Sequence, residues 1–183
     1  MKHRIGVWIA ALTAVASLGG PAESNAQQRE SVSFDGRTLV LAWEGENRGE
    51  RIREYLPDGE KLDSWTTLAS IREYPDLNDP KAVVTNLVRM LRQNHPRARS
   101  TVQENPRTGE VVVDFVTWPP DESFVEFNVW KYRRAEAGGL VAHQYALRDY
   151  RDPKGFLRGL RPVRERLVRL MAEGGLVRLG QDG

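Results

Sequence analysis

Beyond its first 26 residues the chain carries two histidines, His95 and His143, and it has no cysteine anywhere. Nucleophilic catalysis needs a serine or thiol beside a base, and no serine here stands in a Gly-x-Ser-x-Gly elbow. Metal binding is equally short of ligands. The two histidines are far apart in sequence, and neither belongs to a His-x-His or His-x-x-x-His pair, which leaves only Asp114 or Glu126 to approach His143 across a sheet. The adjacent carboxylates Asp121 and Glu122 follow two prolines, as a solvated turn does, whereas glycosidase chemistry needs two opposed carboxyls across a cleft. The expectation is therefore no catalytic residue, no metal and no cofactor.

Binding chemistry has better material. Between Phe124 and Tyr132 the residues alternate, with Val125, Phe127 and Val129 on one face and Glu126, Asn128, Trp130 and Tyr132 on the other. Two large aromatics beside an acid and an amide either pack under a helix or line a groove for a ligand or partner. Glu54 raises a related question. Its spacing puts it with Ile52 and Leu56 on an inward face, where an acid needs a partner such as Arg72 or Arg53. Near the C-terminus Arg158, Arg161, Arg166 and Arg169 share the polar side of a helical pattern. Arg158, Arg161 and Arg169 are the candidates there for meeting an acidic partner or anionic headgroups; solvation on an amphipathic helix is the plain alternative.

These residues must be positioned by strands and helices that the pattern also predicts. Leu39 to Trp43 and Ile52 to Leu56 read as a hairpin, Leu62, Trp65 and Leu68 as a short helix, and Ala69 to Tyr74 as a third strand. The clearest element runs from Asp79 to His95. Asp79 can cap it, Pro80 suits the first helical position, and Val83, Val84, Leu87, Met90 and Leu91 form one apolar stripe. A short strand near Ser100 to Gln103 and a meander of three strands follow, Val111 to Trp118, Phe124 to Tyr132 and Leu140 to Arg148. A second helix lies between Asp152-Pro153 and Gly174-Gly175, where Pro162 predicts a kink or restart.

At the N-terminus Lys2, His3 and Arg4 precede an apolar run from Ile5 to Leu18 that ends at Ser24-Asn25-Ala26. That is the pattern of a cleavable secretory leader, with Gln27 as the new first residue. The organisation expected is a signal peptide over 1–26, a flexible segment over 27–37, one domain over 38–179 and a disordered tail over 180–183. Losing Lys2, Arg4 and Glu23 moves the formal charge of +2 by one unit. Such a balance argues against nucleic acid as a partner, and no transmembrane segment is expected in the mature chain.

Antiparallel strands with one helix between groups and one at the end predict an α+β fold, an antiparallel β-sheet covered by two main α-helices. The order of elements, with the run Glu54-Tyr55-Leu56-Pro57-Asp58-Gly59-Glu60 followed by Trp65, resembles exported bacterial proteins of PsbP/Mog-type fold. That resemblance implies a binding or assembly accessory and carries over no catalytic residue. The expectation is an exported, soluble, periplasmic or secreted protein of the bacterial envelope that binds an envelope protein or a small ligand. The alternative is a hydrolase or metal-dependent enzyme centred on an unrecognised site.

Overall fold

A computed structural model describes residues 29–47 and 49–179. The leader expected over 1–26 and the tail expected over 180–183 lie outside the described residues. The order of elements is β1 (Ser31–Phe34), β2 (Arg37–Asn47), β3 (Glu50–Leu56), β4 (Thr67–Tyr74), α1 (Pro80–Asn94), β5 (Arg99–Glu104), β6 (Val111–Thr117), β7 (Val125–Arg134), β8 (Leu140–Asp149), α2 (Pro153–Glu173) and β9 (Val177–Leu179). All described strands join one antiparallel sheet in the order β5-β6-β7-β8-β4-β3-β2-β1-β9.

The two helices lie on opposite faces. On one face the stripe Val83, Val84, Leu87 and Leu91 of α1 packs on Val113, Phe115, Trp130, Tyr132 and Leu140. On the other, Leu160, Leu167, Val168 and Met171 of α2 pack on Val112, Phe127, Val129 and Tyr145. The alternation of β7 thus feeds two cores. Its Phe127 and Val129 face α2, its Trp130 and Tyr132 face α1, and all four are almost fully buried.

This corrects the expected fold. The protein is a broad antiparallel sheet with two helices, and it is not a PsbP/Mog-like sheet covered by two main helices. The reason is size. Nine strands at about 4.8 Å apart span roughly 38 Å, whereas one helix with its side chains is about 10–12 Å across. With one helix on each face, neither face can be covered.

Local expectations meet mixed outcomes. Asp79 caps α1 by accepting from the N–H groups of Lys81 and Ala82 at 3.0 and 3.1 Å, with Pro80 at the first turn. The segment expected to be flexible over 27–37 instead holds β1, which pairs with β2 and with β9. Residues Leu62 to Thr66 form turns rather than a short helix, tied by Glu60, which accepts from the Thr66 N–H and hydroxyl, both at 2.6 Å. The second helix runs unbroken through Pro162, which stands on its exposed side, where the bond lost with the missing N–H costs least.

Candidate functional site

On the α1 face a cleft of about 380 Å³ lies between the helix, the sheet and the 57–66 loop. Leu87, Met90 and Leu91 of α1 form one wall, and Leu62 and Trp65 of the loop stand opposite. One row of cross-strand partners runs along the floor, with the fully buried Ser70 beneath its middle. Trp130 pairs with Gln144, Gln144 with Ser70, Ser70 with Glu54 and Glu54 with Trp43, so five strands each place one of these residues on the same face.

A polar chain crosses the floor beside this row. Arg148 donates from Nε and Nη2 to Glu126 Oε2 at 2.9 and 2.6 Å. Asn128 Nδ2 donates to Glu126 Oε1 at 2.7 Å, and Gln144 Nε2 donates to Asn128 Oδ1 at 2.8 Å. A carboxylate only accepts, so Glu126 fixes the direction of every bond in the chain and leaves the last acceptor, Gln144 Oε1, without a donor. Trp130 Nε1 is likewise buried with no partner. Trp130 and Gln144 are 5% and 7% exposed and are cross-strand neighbours on the cleft floor.

The charges on the cleft floor are matched internally, while the exposed Lys61 and Asp63 stand on its loop side. The Arg148 guanidinium, bonded to Glu126, sits 3.7 Å from the Trp65 ring centre and 4.1 Å from that of Phe124. Arg72 lies 3.8 Å from Glu54 and 5.1 Å from the centre of the Trp130 ring. Burial raises the Glu54 carboxyl above its usual range, and the nearby Arg72 only partly opposes this. Of the partners anticipated for Glu54, Arg72 serves, while Arg53 pairs with Glu44 and Glu73 at 3.1 Å each.

The residues singled out from the sequence fall into two places. Glu126, Asn128 and Trp130 come together in the cleft. Tyr132 stacks on Trp130, with centroids 5.7 Å apart, under α1, and burial raises its hydroxyl well above the usual phenol range. Of the two arrangements offered for this face, the apolar stripe of α1 packs over its Trp130–Tyr132 end, and concavity remains toward Glu126. Arg158, Arg161 and Arg169 are exposed on α2, across the sheet from the cleft, where Arg158 lies 3.8 Å from Asp152 and Arg161 lies 3.3 Å from Glu165. Arg166 pairs with Asp35 at 2.9 Å.

Sequence reasoning missed Gln144, Arg148, Trp65 and Trp43. The first two were within reach, because a meander register sets Gln144 beside Trp130 and Arg148 beside Glu126. Trp43 was not. Regular alternation would place it on the α2 face, but the register shifts between Leu41 and Trp43, and the extra residue turns its side chain to the cleft.

His143, the anchor of the alternative enzymatic reading, lies on the α2 face. Its Nδ1 accepts from the Leu176 N–H at 3.1 Å, and burial, aided by Arg133, Lys131 and Arg178, lowers its pKa to about 4. Asp114 is occupied by Arg164 at 2.6 Å. Among the described residues no group of three or more His, Cys, Asp or Glu side chains is placed to hold a metal ion, and no helix is long and apolar enough to cross a membrane.

A protein-family model matches residues 26–175 of the chain. No curated protein and no solved structure matches it.

Proposed function

We propose, for a chain that belongs to the family matched over residues 26–175, a non-catalytic binding role: it holds a small uncharged molecule in the cleft beneath α1. One observation carries this. A buried donor, Trp130 Nε1, and a buried acceptor, Gln144 Oε1, belong to cross-strand partners that line a cleft of about 380 Å³, and neither atom has a partner among the described residues. An unsatisfied buried polar atom costs about 1–3 kcal/mol, and a ligand group that both accepts and donates, an alcohol or a primary amide, would satisfy both. The ligand is uncharged because Glu126 is matched by Arg148 and Glu54 by Arg72. A further charge would enter a low-dielectric site without a counterion.

The basic and apolar start of the sequence supports a bacterial envelope location, periplasmic after removal of residues 1–26. Intact mass of the native protein from a periplasmic fraction is expected to begin at Gln27. Recovery from the cytosol with Met1 retained would reject that location.

The binding reading is tested with N-phenyl-1-naphthylamine, an uncharged fluorescent probe bearing one N–H. Fluorescence enhancement is expected with the parent protein. It should weaken at least tenfold in affinity in Gln144→Leu, whereas Arg161→Ala, on the far face, should bind like the parent. Failure of the parent to bind this probe or any neutral alcohol or amide, or equal binding by Gln144→Leu, would reject the cleft as the site.

A further inference from the structure

Trp43 stands at the far end of the floor row, and three features put it there. The register shift at Ala42 reverses the face on which Trp43 emerges. Gly45, two residues on, has no side chain, and the Trp43 ring lies so close over it that an added Cβ would collide with the indole. Glu54, its cross-strand partner, is drawn toward Arg72 rather than toward the ring. A bulge and a glycine together turn a residue that strand alternation assigns to the other face into a wall of the cleft.

The row fixes a length. From Gln144 through Ser70 and Glu54 to Trp43 there are three strand-to-strand steps, about 14 Å at ~4.8 Å each. Between these ends the polar groups are already engaged. Asn128 and Glu126 serve each other and Arg148, and Ser70 Oγ accepts from Arg72 Nε at 3.3 Å. Among the described residues the unpartnered buried side-chain atoms sit at the Trp130–Gln144 end, while Leu62, Leu68, Leu87 and Met90 flank the cleft with apolar surface. A sugar, with a hydroxyl at nearly every carbon, would bury more donors and acceptors than the cleft can satisfy.

Resting on the binding role proposed above, we infer that the ligand is a neutral single-headed amphiphile. Its alcohol or primary amide head meets Trp130 and Gln144, and its unbranched apolar chain crosses β4 and β3 to end against the Trp43 ring. The groove then measures chain length. Each methylene buried adds about fourfold to affinity, until the chain reaches Trp43 at about 14 Å, near the extended length of a dodecyl chain.

The experiment is a titration of straight-chain primary alcohols and amides, from hexyl to hexadecyl, below their aqueous solubility limits, monitored by displacement of N-phenyl-1-naphthylamine. Affinity should climb about fourfold per methylene and level off near dodecyl. Carboxylates and alkylammonium ions of matched length should bind at least tenfold more weakly. Trp43→Ala should lower affinity only for chains near dodecyl and longer, leaving hexyl and octyl compounds unchanged. Gly45→Ala, which displaces the same ring, should reproduce that pattern. Gln144→Leu should weaken every length by one factor. A flat response to chain length, equal binding of charged analogues, preference for neutral oligosaccharides, or a Trp43→Ala loss uniform across lengths would overturn the amphiphile while leaving a neutral-ligand site standing. Absence of binding by every neutral compound would instead remove the binding role itself.

Discussion

At the scale of single residues, two side chains on one face of β7 have opposite energetic signs. Glu126 is buried and its charge depends on Arg148, so Arg148→Met should destabilise by about 3 kcal/mol, the low end for breaking a buried pair because Asn128 still donates to the carboxylate. Trp130→Phe removes a donor that has no acceptor, so it should leave stability within about 1 kcal/mol of the parent or raise it, while weakening ligand affinity. Urea unfolding of both variants checks the pair. A loss above about 2 kcal/mol in Trp130→Phe would mean that lost ring packing or a bond to the indole N–H outweighs the removal of an unpaired donor. These two side chains also mark how far residue types alone could lead. Alternation showed that Glu126, Asn128 and Trp130 share a face, but only the register with β8 shows that Arg148 neutralises one end of the chain and Gln144 leaves the other end open.

At the scale of elements, legibility followed the range of the signal. Helix α1 could be read from Asp79, Pro80 and its stripe, because cap, turn and face are all local. The meander β6 to β8 could be read from alternation and from its turn residues. Strands β1 and β9 could not, since each is short and their pairing joins Ser31 to Leu179 across nearly the whole described chain. The side of the sheet taken by each helix was also hidden, because β7 carries large apolar or aromatic side chains on both faces, Phe127 and Val129 on one and Trp130 and Tyr132 on the other.

The link between α2 and β9 carries a titratable contact at this scale. His143 on β8 accepts from the Leu176 N–H, Gly175 approaches its ring, and Arg133, Lys131 and Arg178 surround it with positive charge. Its folded pKa, about 4, lies below the unfolded value of about 6.5. Above pH 6.5 the ring is neutral in both states and contributes nothing to pH dependence. As pH falls from 6.5 toward 4 the unfolded chain binds the proton first, so stability should decline, by at most about 3 kcal/mol from this group. His143→Gln should flatten that part of the curve in urea titrations at stepped pH. An unchanged slope would assign the acid sensitivity to other groups.

At the scale of the whole molecule, the cleft draws on β2, β3, β4, β6, β7 and β8 as well as α1. A ligand there binds the folded state alone, since no shorter piece of the chain contains the row. It should stabilise the entire sheet by about 2.7 kcal/mol at one hundred times its Kd. Thermal unfolding with and without a saturating dodecyl alcohol should therefore shift as one transition. A shift in one of two separated transitions would show that the sheet unfolds in parts.

Strand order also governs how the chain can assemble as it is delivered. Strands β1 to β4 form a contiguous ribbon, yet β4 receives its second neighbour only from β8, whose first residue is Leu140. A polypeptide emerging N-terminus first would hold that ribbon with a bare hydrogen-bonding edge until β8 emerged, and β1 would stay open on its outer side until Val177 to Leu179 arrived. Such an intermediate, with two open edges, invites strand-to-strand aggregation until β8 and β9 close them.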